Sequence, residues 1–215
     1  MRKALAAVVL GSLTLIVNPA SASAHADLQT STPTNGSVMS VAPKKVVLTF
    51  SEPVELQEAQ LLNSSLHIIE SSSVISGSLL TITPSAKLST GSIAAQWKVK
   101  SDDGHVISGA IAFIIGIVSK QQVTTPINTS PVMTTTLSGN RSGLLTITLA
   151  SKATTGDIEW TNPALNGPIT WRTSSNGKQA KATGVLPFAG SWKMTATLIN
   201  KGGSVLMTTG TANLV

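Results

Sequence analysis

Ser92-Ile93-Ala94-Ala95-Gln96-Trp97-Lys98-Val99-Lys100 is the stretch that decides the fold of this 215-residue chain. Ile93, Ala95, Trp97 and Val99 fall at every second position, the period of a strand with one face in a core. The same beat runs through Val46, Leu48 and Phe50, and again through Ile111, Phe113, Ile115 and Ile117. Far along the chain it returns in Leu145, Ile147 and Leu149, and in Trp192, Met194, Ala196 and Leu198. Pro, Gly, Asn and Ser clusters separate these runs, which predicts an all-β sandwich or barrel. The nearest helical candidate, Val54 to Leu62, is short and predicts a turn or two at most.

Outward from these runs, the chain divides. Between Ser119 and Ser138, fourteen of twenty residues are Ser, Thr, Pro, Asn or Gln, and Lys120 is the one charge. That composition predicts a linker over about 118–138. A first β-domain is expected at 25–117 and a second, small β-sandwich at 139–215. The first residues have the look of an export signal. Arg2 and Lys3 precede an apolar run from Ala4 to Val17, and Ala22-Ser23-Ala24 offers the small-x-small pattern of a cleavage site. The apolar run is shorter than the roughly 20 residues that cross a bilayer. Residues 1–24 are therefore expected to be removed and the protein exported, to the periplasm or the cell surface. Ile111 to Val118 is apolar too, but reads as a buried strand, so the mature chain is not expected to span a membrane.

Composition narrows the chemistry. Without cysteine there is no disulfide and no thiolate metal site. The formal charge is +6, of which Arg2 and Lys3 leave with the signal. The remaining cations are scattered, with only Lys44-Lys45 adjacent, and three Phe and four Trp give few platforms for bases. Nucleic-acid binding is therefore not expected.

Three histidines remain: His25, His67 and His105. Cleavage after Ala24 would make His25 the first residue, so that its free α-amine and its imidazole can chelate one metal ion. An internal histidine lacks that option because its backbone nitrogen is an amide. The run Ser101-Asp102-Asp103-Gly104-His105 places a carboxylate and an imidazole on one tight bend, with Gly104 allowing close approach. One amine, two imidazoles and one carboxylate form a nitrogen-rich set suited to tetragonal copper(II), one ion per chain. Methionines at 39, 133, 194 and 207 stand singly, so a sulfur-rich copper(I) site is not expected. His67, between Leu66 and Ile68, is expected on a strand or strand edge and outside the site.

Several motifs now line up with one family. His25-Ala26-Asp27-Leu28, Ser31-Thr32-Pro33 with Asn35-Gly36, Ala42-Pro43 and Leu48-Thr49-Phe50-Ser51-Glu52-Pro53-Val54 follow one another in the first half. Trp97-Lys98-Val99-Lys100-Ser101-Asp102-Asp103-Gly104-His105 and Val106-Ile107-Ser108-Gly109 come after them. Together they resemble the CopC family of periplasmic copper-binding proteins, from His25 to about Ile117. The resemblance implies a cupredoxin-like or immunoglobulin-like Greek-key β-sandwich that binds copper(II) through an N-terminal histidine brace. By position, His25, Asp103 and His105 would be the ligands. Glu52 would lie near the metal as an orienting partner or weak ligand, and Trp97 would be a core residue beside the site. The methionine- and histidine-rich loop of some members has no counterpart in Val54 to Ser73. The second half resembles small YtkA-like β-sandwiches over Gly143 to Ile147 and Leu186 to Met194. With no histidine there, it is expected to bind a partner or act as a spacer.

The function expected is capture or chaperoning of copper outside the cytoplasm, for resistance or uptake, by a monomer without enzymatic activity. Any membrane partner, such as a CopD-like transporter, is expected to be a separate chain. The alternative is a copper-dependent oxidative enzyme of the histidine-brace type, as in lytic polysaccharide monooxygenases. Asp103 would fill a coordination position such enzymes leave open, and tyrosine is absent from the chain, which disfavours it.

Overall fold

Period-two patterning becomes β-strand throughout the structure, a computed structural model that describes residues 26–116, 135–139, 144–149 and 153–215. In the first half these are β1 (Leu28–Thr32), β2 (Val38–Met39), β3 (Val46–Phe50), β4 (Val54–Asn63), β5 (Ile68–Ile69), β6 (Ser71–Ser76), β7 (Leu79–Pro84), β8 (Gly91–Ser101) and β9 (Val106–Ile115). The second half adds β10 (Thr135–Gly139), β11 (Leu145–Leu149), β12 (Ala153–Thr161), β13 (Ile169–Arg172), β14 (Ser174–Ser175), β15 (Ala180–Gly184), β16 (Gly190–Asn200) and β17 (Val205–Leu214). Among the described residues no helix is long and apolar enough to cross a membrane.

Three sheets result. A small one has the order β1-β3-β7-β6, and a second has β10-β11-β15-β14. The third runs β17-β16-β12-β13-β9-β8-β4-β5, with β2 added beside β9. It crosses both halves of the chain, joined where β13 lies parallel to β9 at Ile169 and Ala110.

Two cores form around it. Val46, Leu48 and Phe50 of β3 pack with Ile93, Ala95, Trp97 and Val99 of β8 in the first. Leu145, Ile147 and Leu149 pack with Trp160, Trp171, Trp192 and Met194 in the second. Strand β9 serves both. Its Ile111, Phe113 and Ile115 enter the first core, while Ala110, Ala112 and Ile114 enter the second. Because successive residues of a strand point to opposite faces, the two cores lie on opposite sides of the shared sheet.

Strand β4 departs from expectation. Val54–Asn63 is a ten-residue strand rather than a turn of helix. It is tied to β8 from Val54–Ser101 to Asn63–Ile93, with a register shift between Leu56 and Glu58. That bulge inserts an extra residue, so inward positions run Val54, Leu56, then Ala59 and Leu61. The break in alternation hides the strand in the sequence. His67 lies in the turn just before β5, where its amide donates to Asn63 Oδ1 at 3.0 Å.

Candidate metal centre

Chain direction brings the expected site residues toward one end of the first half. β1 begins opposite the end of β3, with Leu28 facing Phe50. β4 begins opposite the end of β8, with Val54 facing Ser101. The start of β1, the β3–β4 connection carrying Glu52, and the β8–β9 hairpin carrying Asp103 and His105 therefore share that end. Two hydrogen bonds tie the start of the first strand there: Asp27 N donates to Ser51 Oγ at 2.8 Å, and Ser51 N donates to Asp27 O at 2.9 Å. His25 itself lies outside the described residues, two positions before Asp27.

The hairpin is closed by its own backbone. Ser101 N donates to His105 O at 2.9 Å, and Gly104 N donates to Ser101 O at 2.9 Å. Gly104 sits at φ +86 with no atom within 4 Å of where a Cβ would be. Glycine is needed there for the left-handed turn rather than for close approach. Inside the bend, His105 N donates to Asp103 Oδ1 at 3.0 Å, and His105 Nδ1 stands 2.9 Å from Asp103 Oδ2. Ser101 Oγ donates to Asp103 Oδ1 as well. These bonds, the Ser101 hydroxyl first and the His105 amide next, hold the Asp103 carboxyl well below the usual carboxylate range. The carboxylate is thus a fixed negative charge beside an imidazole that is 61% exposed.

Glu52 is partly buried in the β3–β4 connection, and its Oε1 is buried with no hydrogen-bond partner among the described residues. Such an oxygen calls for a cation or a donor. Trp97 is 5% exposed and stacks edge-on with Phe50, ring centroids 5.0 Å apart, so it is a core residue as expected. Beyond Trp97 a groove opens between the halves, walled by Asp27, Gln29 and Thr30 on one side and by Asp157, Glu159 and Arg172 on the other.

Among the described residues no three His, Asp or Glu side chains close into a complete metal cluster. What stands in place is the pair Asp103 and His105. The 2.9 Å contact of His105 Nδ1 with Asp103 Oδ2 sets the ring beside the carboxylate, and with the proton on Nδ1 a metal would take the ring through Nε2. A carboxylate and an imidazole at that spacing, with an unsatisfied carboxylate in the same end of the fold, suit a nitrogen- and oxygen-preferring divalent ion. Ser101 is the residue that sequence reasoning left without a role.

The fold is all-β, with the Asp103–His105 pair on a hairpin at one end of its first half. A family model of the CopC domain matches residues 28–116. Copper resistance protein C of Pseudomonas syringae pv. tomato is 34% identical over 103 residues, covering 43% of this chain and 81% of that protein. Copper transport protein CutJ of Bacillus subtilis (strain 168) is 30% identical over 110 residues, 48% of this chain and 20% of the longer protein. Among solved structures, CopC from Methylosinus trichosporium OB3b aligns with a TM-score of 0.40 at 25% identity, over 42% of this chain and 93% of that one. The chain belongs to the CopC family.

Proposed function

We propose that the protein is exported and binds one copper(II) ion per chain through its processed N-terminus. In this reading residues 1–24 are a signal, and His25 contributes its α-amine and imidazole. His105 supplies a second imidazole, Asp103 a carboxylate, and Glu52 a hydrogen-bonding partner or weak ligand. The protein sequesters or hands on copper in the periplasm or at the cell surface, as a monomer that acts with a separate CopD-like membrane transporter. Residues 25–117 form the copper-binding unit and the second half a companion domain, whose first strand β10 begins at Thr135, inside the stretch expected as linker.

The observation that carries this reading is the pre-formed Asp103–His105 pair, 2.9 Å apart, at the end of the fold where β1 begins. Relatives named for copper resistance and copper transport lend support. The test compares two purified proteins, one beginning at His25 and one with a single extra residue before it. Copper(II) titration against a competing chelator, with electron paramagnetic resonance, should show tight one-to-one binding and a nitrogen-rich tetragonal spectrum only for the first. Equal binding by both would remove the α-amine from the site.

A further inference from the structure

We propose that Ser101 is a positioning residue of this centre: its buried hydroxyl pins one oxygen of Asp103, so that the other oxygen and the His105 ring form a ready pair. The inference rests on the copper reading above.

Ser101 ends β8 where the strand gives way to the turn, and it is 3% exposed. A serine hydroxyl has one proton to give. Two acceptors lie within its reach, Asp103 Oδ1 and, at 3.1 Å, His105 O. His105 O already accepts the Ser101 amide at 2.9 Å. The carboxylate is the stronger acceptor, because a hydrogen bond to an ionised group is roughly twice as strong as a neutral one. Donation to Asp103 therefore wins, and Oδ1 holds two donors, the Ser101 hydroxyl and the His105 amide at 3.0 Å. Oδ2 faces one donor, His105 Nδ1 at 2.9 Å, and keeps lone-pair capacity for a metal.

The backbone bonds that close the hairpin run from Ser101 N to His105 O and from Gly104 N to Ser101 O. Neither uses the hydroxyl. Its removal should leave the turn standing while taking away one of the three bonds that fix the carboxylate's last torsion, which has a broad energy profile. The His105 amide and ring would still contact the carboxylate, but over a wider range of that torsion, so its spacing to His105 would be less sharply set. Outer groups of this kind typically hold 10–100-fold of a site's metal affinity.

The test uses the full processed chain as wild type, Ser101→Ala and Ser101→Thr, with Asp103→Asn as a reference for the site itself. In copper-free protein, amide hydrogen exchange at His105 should quicken at least about threefold in Ser101→Ala, since its acceptor becomes mobile. Copper(II) affinity by chelator competition should fall about tenfold, with altered hyperfine parameters. Ser101→Thr keeps a hydroxyl and should stay within about threefold of wild type in both readouts. Thermal unfolding of each variant separates these effects from loss of fold. Ser101→Ala indistinguishable from wild type, or Ser101→Thr as weak as Ser101→Ala, would overturn the proposal. If Asp103→Asn also binds copper like wild type, it is the copper site at this hairpin that fails, and the role of Ser101 with it.

Discussion

Asp103 shows how much a single side chain can be governed by its neighbours. Its carboxyl is held below the ordinary range by hydrogen bonds from Ser101 and from the His105 backbone, with the His105 ring adding to the effect. Above about pH 5, a unit over the usual carboxylate value, the group is charged in both folded and unfolded chains, and its stabilisation is complete. As the pH drops further, the unfolded carboxyl takes up its proton first. The contribution then fades until the pH reaches the lower folded value. The stability gap between wild type and Asp103→Asn should therefore be constant above about pH 5 and narrow below about pH 4. Urea unfolding midpoints across a pH series measure it, and a gap unchanged down to about pH 2 would contradict the hydrogen-bonded picture. Solvent reaches this side chain, so the gap should be modest.

At the scale of elements, β9 is the strand on which the most depends. Its alternation, Ile111, Phe113 and Ile115, was readable as one buried face. The opposite face, Ala110, Ala112 and Ile114, is buried as well because the second half of the chain covers it. Truncating either face should then be costly. Phe113→Ala is expected to lose about 3–5 kcal/mol and Ile114→Ala about 2–5 kcal/mol, since both leave cavities in packed cores. Urea denaturation gives both numbers. A loss below about 0.5 kcal/mol for Ile114→Ala would mean that its face meets solvent. Strand β4 teaches the complementary lesson. Its bulge between Leu56 and Glu58 shifts the inward positions by one, and so removes the period that a sequence reading relies on.

At the scale of the molecule, the joint between the halves is polar and specific. Asn35 Oδ1 accepts the Ala112 amide at 3.0 Å, and its Nδ2 donates to Thr170 O at 2.9 Å, so one side chain bridges β9 and β13. Gln96 Oε1 accepts the Asn166 amide at 3.0 Å, and Ser108 Oγ donates to Asn166 O at 2.9 Å. Gly167 lies against the Ser108–Gly109 backbone so closely that a Cβ there would sit 2.5 Å from Ser108 C. Asn35→Ala leaves a half-buried amide and a carbonyl unmatched, and should cost about 1–3 kcal/mol. Urea unfolding followed by tryptophan fluorescence reports on both halves, because Trp97 lies in one core and Trp160, Trp171 and Trp192 in the other. An unchanged midpoint would show that the bridge contributes nothing to stability.

The β class was legible in the chain alone, because period-two patterns such as Val46-Leu48-Phe50 record which face of each strand meets a core. So was the Asp-Gly-His hairpin, since a turn and its side chains are set by neighbours in the chain. The motifs from Ala26 to Gly109 were enough to place the family. Folding in three dimensions was needed to reveal that β4 is a bulged strand, that β9 is buried on both faces, and that Asn35 joins the halves across 135 positions to Thr170. Those features depend on which distant strand lies alongside, and local pattern carries no record of that. The Ser101 hydroxyl belongs with them. A serine at a strand end is an ordinary residue in sequence, and its bond to Asp103 exists only once the hairpin has closed.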